Sequence, residues 1–314
     1  MRVVVTGGTG FLGAHLARAL VARGDEVTCV DIAPASPLLV DVPSITMARA
    51  DVGSWTELLH VLREARPELV FHAAGILSAF AEDRPQAAYH ANATGLHNML
   101  EAALLLDIPR VVFTSTIATY GPGVPKTVDE ETPQRATTMY GVTKAFGENL
   151  GAYFHRRFGV DFRGIRLPAV IGAGRGPGGA SAYSSFVVSE PARGHPYVVP
   201  VEETTKFPIA YVKDAVAALI ALSEADDDRL SRRMYGIAGI SPTAGELVAA
   251  VRDVLPDADL AFRPEPALVE IVRTWPERVD ASEAFADWGW QDRYDLKATV
   301  ADFIAEIRAH PDWP

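Results

Sequence analysis

The sequence predicts an α/β protein with a doubly wound parallel sheet and a smaller C-terminal α+β domain. Apolar strand patterns alternate with helix patterns over the first half of the chain, and a glycine-rich turn joins the first strand to the first helix. The alternation stops at the glycine-rich loop 172–179. The 314 residues, 48% of them hydrophobic, suffice for two cores. We predict a sheet domain over 1–170, to which 205–240 returns, and a smaller domain over most of 171–314.

The first structural unit is a strand, a turn and a helix. Met1–Val5 is a short apolar run rich in β-branched residues, and the turn Thr6–Gly13, TGGTGFLG, follows at once. The amphipathic pattern Ala14–Arg23 comes next and stops at Gly24. This order is typical of the Rossmann-type dinucleotide fold, whose helix N-terminus offers amide donors to a pyrophosphate. Three glycines would permit the tight turn, the approach of the backbone to the pyrophosphate and close helix packing: Gly7, Gly10 and Gly13.

The second strand, Glu26–Val30, ends on an acidic residue, Asp31. In a dinucleotide fold this carboxylate accepts hydrogen bonds from the adenosine ribose hydroxyls, and its charge repels a 2′-phosphate. No arginine follows at positions 32 or 33 to bind such a phosphate. The sequence therefore predicts NAD rather than NADP as the cofactor, as long as the preceding glycine turn is a dinucleotide turn.

Further strands and helices follow in alternation. We predict them at Trp55–Ala65 (helix), Glu68–Phe71 (strand), Asn92–Leu105 (helix), Arg110–Thr114 (strand) and Asp161–Leu167 (strand ended by Pro168). Small residues after the Glu68–Phe71 strand would let the backbone lie against a cofactor. Hydroxyl residues cluster just after Thr114, at the carboxyl end of a parallel strand, where open α/β sheets bind ligands.

Tyr140 and Lys144 lie four residues apart on a predicted helix. Residues at this spacing share a helix face, so the ammonium of Lys144 is expected to lower the pKa of the Tyr140 phenol. A phenol of lowered pKa can remove a proton from an alcohol. The alternative is an ordinary solvated pair on a surface helix.

These motifs together resemble the extended short-chain dehydrogenase/reductase superfamily. They are the glycine turn, Asp31, Asp51-Val52, the His72-Ala-Ala-Gly75 segment, Thr116 and Tyr140-x-x-x-Lys144. The resemblance implies that Tyr140 is the acid/base, that Lys144 binds the nicotinamide ribose, and that Thr116 orients the reacting oxygen. It also places Asp51 at the adenine amino group, with Val52 beside the ring. The alternative role for Asp51 is a helix N-cap before Trp55. Thr116 is chosen by its spacing among the hydroxyl residues that follow the strand, and Thr114, Ser115 and Thr119 have the alternative role of capping the strand end.

The predicted NAD-binding set follows from the same resemblance. Its members are Gly7, Gly10, Phe11, Leu12, Gly13, Asp31, Asp51, Val52, Ala73, Ala74, Gly75, Asn92, Thr114, Tyr140, Lys144, Leu167 and Pro168.

Within this superfamily the chain departs from the sugar-nucleotide enzymes. It has no asparagine in Pro168–Gly172 and no arginine clamp for a diphosphate in Thr204–Tyr211, where Lys206 offers only a point charge. A sugar-nucleotide epimerase or dehydratase with tightly bound NAD is therefore the alternative function. A non-catalytic NAD-binding scaffold is a third reading, which the intact Tyr140 and Lys144 disfavour.

Several segments are similar to the short-chain type of L-threonine 3-dehydrogenases. They are Leu77-Ser-Ala79, Pro177-Gly-Gly179, Trp275-Pro276 and Asp287–Leu296. The resemblance implies oxidation of a small β-hydroxy acid, either L-threonine, a related β-hydroxy amino acid or an aldonate. Those enzymes tend to follow Pro-Gly-Gly with glycine, two threonines and aspartate, where this chain has Ala180-Ser-Ala-Tyr183. The predicted substrate-binding set is Ser78, which is otherwise a helix cap, with Thr116, Tyr140, Gly179, Ala180 and Ser181.

Composition excludes some partners. The net charge of −11 disfavours nucleic acid and anionic membranes, because phosphate contacts require clustered lysine and arginine. No apolar run is long enough to cross a bilayer, so we predict a cytoplasmic enzyme acting on a small molecule. The single cysteine, Cys29, is predicted to be a buried core thiol, and no metal site is predicted. The superfamily often pairs through the helices predicted here at Asn92–Leu105 and Tyr140–Phe158, so we expect a homodimer.

Overall fold

The computed structural model describes residues 1–314. It contains thirteen strands: β1 (Arg2–Thr6), β2 (Glu26–Asp31), β3 (Thr46–Arg49), β4 (Leu69–His72), β5 (Arg110–Thr116), β6 (Thr127–Val128), β7 (Asp161–Leu167), β8 (Ala169–Ile171), β9 (Tyr197–Val199), β10 (Ile209–Tyr211), β11 (Met234–Gly236), β12 (Leu260–Phe262) and β13 (Arg278–Val279). It contains twelve α-helices: α1 (Phe11–Ala22), α2 (Trp55–Ala65), α3 (Ser78–Asp83), α4 (Pro85–Ala88), α5 (Gly95–Leu105), α6 (Met139–Phe158), α7 (Tyr183–Ala192), α8 (Val212–Glu224), α9 (Ala244–Val254), α10 (Pro266–Val272), α11 (Ser282–Trp288) and α12 (Leu296–Ala309).

Seven of the strands form one parallel sheet in the order β11-β7-β5-β4-β1-β2-β3. Strand β1 pairs with β2 on one side and with β4 on the other, so the chain reverses its winding direction at β1/β4. This arrangement confirms the predicted doubly wound fold. In such sheets ligands bind beyond the carboxyl ends of the strands at the reversal point, which here follow Thr6 and His72.

The structure differs from the predicted elements in three places. Helix α1 begins at Phe11, inside the glycine-rich turn, rather than at Ala14. Strand β3 at the sheet edge was not predicted, because its residues are mostly exposed and lack an apolar alternation. The predicted helix over Asn92–Leu105 begins earlier, with a π-helical segment at Tyr89–Thr94 that continues into α5.

The remaining strands form two-stranded parallel pairs, β8 with β10, β9 with β12 and β6 with β13. Strand β11 returns to the large sheet by pairing with β7, and α8 packs on α1. On this topology we propose the division expected above, 1–170 with 205–240 and most of 171–314. One apolar cluster nevertheless runs through both parts, from Leu16 of α1 to Phe303 of α12.

Two composition-based expectations concern single features of this fold. Cys29 is fully buried in β2, and burial raises the pKa of its thiol to about 12. None of the helices combines the length and the apolar character needed to cross a bilayer.

Candidate active site

A cavity of about 580 Å³ opens at the carboxyl ends of the central strands. Most of the predicted site residues line it: Gly7, Gly10, Phe11, Leu12, Gly13, Asp31, Asp51, Val52, Ala73, Ala74, Gly75, Ser78, Thr114, Thr116, Tyr140, Lys144, Leu167, Pro168, Gly179 and Ser181. Two predicted residues, Asn92 and Ala180, do not line it. The volume lies within the usual range for ligand pockets.

The glycine turn is packed closely against the protein's own backbone at the cavity wall. Gly7 has a positive φ of 68°, and its N–H donates to the Val30 carbonyl at 2.8 Å. A Cβ on Gly7 would lie 2.7 Å from the Ala74 nitrogen, and a Cβ on Gly13 would lie 2.1 Å from the Gly7 oxygen. Only glycine fits both positions, and the turn lines the cavity at the start of α1, where a dinucleotide fold binds its pyrophosphate.

Asp31 is held in place at the end of β2. One of its carboxylate oxygens accepts a hydrogen bond from the Thr9 N–H at 3.1 Å, and the other accepts from the Ala33 N–H at 3.2 Å. A carboxylate can accept about four hydrogen bonds, and these two backbone N–H groups use only two of them. The remaining lone pairs stay available at the cavity wall. This arrangement fits the ribose of NAD.

Asp51 follows β3 and contacts His90, which was not predicted as a site residue. Its Oδ2 lies 3.0 Å from Nε2 of His90, and its Oδ1 accepts from the Gly53 N–H at 2.8 Å. The N-cap of α2 is Ser54, so the alternative assignment of Asp51 as that cap is wrong. His90 lines the cavity beside Asp51.

Tyr140 is the second residue of α6. The N-cap of that helix, Thr138, accepts a hydrogen bond from the Gly141 N–H at 3.1 Å and so fixes where the helix begins. Burial raises the pKa of the Tyr140 phenol to about 12, and the neighbouring Thr116 hydroxyl and Arg175 guanidinium oppose this rise. Thr116 ends β5, where its Oγ accepts from the Ala118 N–H at 3.2 Å.

Lys144 lies one turn further along α6 and is buried. Its Nζ donates to the Thr114 carbonyl at 2.7 Å and lies 4.6 Å from the centre of the Phe113 ring and 5.8 Å from that of Tyr140. Burial lowers the pKa of Lys144 to about 7. The expectation that Lys144 lowers the pKa of Tyr140 is therefore not met in this geometry, because the ammonium faces a carbonyl and the cation that acts on the phenol is Arg175.

A buried polar network beneath Lys144 was also missed. Glu148, one turn after Lys144, forms a 2.8 Å ion pair with Arg166 of β7 and raises the pKa of Lys144 against the effect of burial. Ser115 and Gln134 donate hydrogen bonds to the same carboxylate. The i, i+4 spacing of Lys144 and Glu148, together with a charged Arg166 inside an apolar strand, is the sequence feature that points to this network.

Asn92 is a structural brace rather than a cavity residue. Its Oδ1 accepts from the Ile76 N–H at 2.7 Å, and its Nδ2 donates to the Ile76 carbonyl at 3.1 Å and to Thr143 Oγ at 3.0 Å. The amide thus joins the segment after β4 to α6, and its hydrogen-bonding groups are used within the protein. Asn92 does not line the cavity, and its part in cofactor binding stays a prediction. Ser78 begins α3 without capping it and faces the cavity.

The far end of the cavity is closed by residues from the C-terminal half. Gly179, Ser181 and Arg175 line one wall, and Trp275 lines another. The Trp275 ring packs edge-on against Phe207, with 5.2 Å between the ring centres, and Phe207 packs in the same way on Tyr183. Long-range packing therefore builds this end from segments almost one hundred residues apart.

Comparison with known proteins supports this description. The model of the NAD dependent epimerase/dehydratase family matches residues 3–238. The chain is 33% identical over 311 residues to the mitochondrial L-threonine 3-dehydrogenase of Bos taurus, covering 96% of this chain and 82% of the relative. The holo form of a GalE-like L-threonine dehydrogenase from Cupriavidus necator superposes with a TM-score of 0.92 at 34% identity, covering 97% and 99%. The UDP-glucose 4-epimerase of Thermus thermophilus, in complex with NAD, gives 0.85 at 26% identity, covering 98% and 99%.

Proposed function

Because the chain belongs to the NAD dependent epimerase/dehydratase family, we propose that it is an NAD-dependent dehydrogenase that oxidises the secondary alcohol of a small β-hydroxy acid. The observation that carries this proposal is the convergence of three side chains on one cavity. Tyr140 and Lys144 of α6 lie beside Thr116 at the end of β5, the constellation of an alcohol-oxidising site.

The cofactor is NAD. The residues present fit it, because only glycine is accommodated at Gly7 and Gly13 and because Asp31 presents a carboxylate at the end of β2. We assign the glycine turn to the pyrophosphate, Asp31 to the adenosine ribose, and Asp51 and Val52 to the adenine. Bound there, NAD would supply the acceptor for the hydride of the carbinol carbon.

The protein residues handle the proton and the orientation of the alcohol. Tyr140, as phenolate, removes the proton from the substrate hydroxyl, and Thr116 holds the same oxygen by a hydrogen bond. We assign Lys144, whose Nζ donates to the Thr114 carbonyl, to the nicotinamide ribose.

L-Threonine and related β-hydroxy amino acids are the first substrates that we propose, and aldonates are the second. Relatives named L-threonine dehydrogenases cover nearly the whole chain. If threonine is the substrate, the product is a β-keto acid that can lose carbon dioxide without further catalysis. A sugar-nucleotide reaction remains the alternative, although Lys206 is not among the cavity residues.

The test is an NADH absorbance screen of purified protein with NAD over threonine, other β-hydroxy amino acids, aldonates and uronates. We expect NADH to accumulate with at least one hydroxy acid. Copurified NAD with no net NADH from any of these compounds would contradict the dehydrogenase proposal and favour an epimerase or dehydratase cycle.

We also propose that the protein is a homodimer that pairs through α5 and α6. Large apolar side chains are exposed along these helices: Leu105 is 61% exposed, Val142 48%, Phe146 44% and Tyr153 44%. Exposed apolar side chains grouped on one helix face typically mark an interface, and a two-fold axis would bury them against their copies.

A further inference from the structure

Arg175 presents a guanidinium to the cavity without an acidic partner. Its Nη2 donates to Ser181 Oγ at 3.2 Å, and its Nε is buried with no hydrogen-bond partner. Tyr140, and no carboxylate, is the ionisable group that acts on the pKa of its guanidinium. An arginine has five donors and keeps its charge at every accessible pH, and a charge withdrawn from water without a partner is costly. The unused donors therefore point to an anion supplied by a ligand.

The position of Arg175 identifies which part of a ligand it meets. Its Nη2 lies against the Gly179–Ser181 loop, since a Cβ on Gly179 would be 3.3 Å from that atom. On the other side, the guanidinium stacks over Phe11 at 5.7 Å from the ring centre. Its charge also acts on the Tyr140 phenol. Arg175 thus lies at the end of the cavity where the alcohol is oxidised.

The acidic residues of the cavity lie at its other end. Asp31 and Asp51 are the two carboxylates that line it, and both follow strands at the β2/β3 edge of the sheet, away from β5. Tyr183, which follows the Gly179–Ser181 loop, is buried against Phe207. The reacting end therefore offers a fixed cation and no carboxylate.

We propose that Arg175 binds the carboxylate of the substrate and that the enzyme recognises its hydroxy acid through this anionic group, without a partner for a substrate ammonium. This inference rests on the proposed dehydrogenase function, and within the proposed substrates it ranks hydroxy acids that lack an ammonium at least level with L-threonine. The planar guanidinium matches the two oxygens of a carboxylate, which a single ammonium does not. In a β-hydroxy acid the carboxylate is only two carbons from the carbinol, so a carboxylate site near Tyr140 positions that carbinol for reaction.

The diphosphate of NAD is the other anion that Arg175 can reach, because Phe11 begins α1. The start of α1 already offers amide donors to that diphosphate. We therefore assign Arg175 to the substrate, and the two sources of negative charge are separated by measuring both ligands on the same variants.

The experiment compares the wild type with Arg175→Met, Arg175→Lys and, as a control, Arg63→Met, which removes an exposed arginine from α2. Isothermal titration measures the binding of NADH and then of β-hydroxybutyrate and L-threonine to the NADH complex. We expect Arg175→Met to weaken β-hydroxybutyrate binding on the order of 30-fold, with Arg175→Lys intermediate. NADH binding is expected to stay within about threefold, and the wild type is expected to bind β-hydroxybutyrate at least as tightly as L-threonine.

Each other outcome has a definite meaning. Unchanged binding of β-hydroxybutyrate in Arg175→Met overturns the assignment. A loss of NADH affinity as large as the loss of β-hydroxybutyrate affinity would assign Arg175 to the diphosphate of NAD instead. A wild type that binds neither acid, or that prefers L-threonine by more than tenfold, also contradicts it. Failure of the proposed function is seen separately, as binding of the hydroxy acids without NADH formation from any compound.

Discussion

Tyr140 carries the chemistry of the site, and its surroundings act on its pKa in opposite directions. Burial raises the pKa to about 12, whereas Thr116 and Arg175 lower it. The phenol is thus protonated in the resting site, and the phenolate forms only when positive charge and hydrogen-bond donors surround it. Lys144 contributes less than its spacing from Tyr140 predicts, since its Nζ is committed to the Thr114 carbonyl.

Replacing Tyr140 with phenylalanine removes the group that accepts the proton while keeping the ring. We expect Tyr140→Phe to lower kcat by about 10²-fold or more, and to leave NAD affinity nearly unchanged. Steady-state kinetics and NAD titration measure the two quantities. Tyr153→Phe, an exposed tyrosine on the same helix, should retain full activity. Retention of more than about a tenth of the rate in Tyr140→Phe would remove the phenol from the mechanism.

Asp31 sets the choice between NAD and NADP. We expect the wild type to bind NAD more tightly than NADP. Asp31→Ala should weaken the affinity for NAD by about tenfold, because the charged hydrogen bonds to the ribose are lost. It should also narrow the ratio of NAD to NADP affinity, because the repulsion of a 2′-phosphate is lost as well. Fluorescence titration with each nucleotide gives the ratio. Asp228→Ala, an exposed residue remote from the cavity, is the control. A wild type that prefers NADP would refute the assignment.

At the scale of elements, the contact between β1 and β4 is the most constrained part of the sheet. Thr6 Oγ lies 3.0 Å from Nδ1 of His72, and these residues are paired in register at the reversal point of the winding. His72 is fully buried, and burial lowers the pKa of its imidazole to about 3 from a usual value of 6.5. The neutral ring is therefore part of the folded structure that supports the glycine turn.

This buried histidine makes the fold sensitive to acid. Its folded pKa lies below its unfolded pKa, so the stabilisation is fully present above pH 6.5 and is lost as the pH falls towards 3. When the pH falls from about 7.5 to 5, we expect the effect of His72 to lower the free energy of unfolding by about 2 kcal/mol. In urea unfolding experiments, the free energy of unfolding of His72→Gln should fall less over this pH range than that of the wild type. His60→Gln, at an exposed site on α2, should follow the wild type. Equal pH dependence in all three proteins would contradict the argument.

The elements also show which parts of the fold a sequence can predict. The glycine turn, β2 with Asp31 and the Tyr140–Lys144 pair depend on local spacing, and the structure brings them together. Strand β3 could not be predicted, because an exposed edge strand carries no apolar alternation. The predicted start of α1 is too late. Gly13 lies within the helix, and a glycine so close to the turn indicates turn rather than helix in the sequence.

At the scale of the whole molecule, the substrate end of the cavity was the least predictable part. Arg175, Trp275 and the edge-on Phe207–Tyr183 pair meet there through tertiary packing, which includes the pairing of β8 with β10. No local pattern encodes contacts between segments this far apart in the chain. The residues that distinguish one hydroxy acid from another therefore come from tertiary packing, whereas the cofactor residues come from motifs.

The proposed dimer is the property that depends on the surface as a whole. Phe146 is 44% exposed on α6 between Val142 and Tyr153, so a charge there would be buried in the paired state without a partner. We expect the wild type to elute as a dimer at micromolar concentration and Phe146→Glu to elute as a folded monomer in size-exclusion chromatography with light scattering. Phe285→Glu, at an aromatic residue of α11 that is 55% exposed, should stay dimeric. A monomeric wild type, or a dimeric Phe146→Glu, would show that α6 is not the interface.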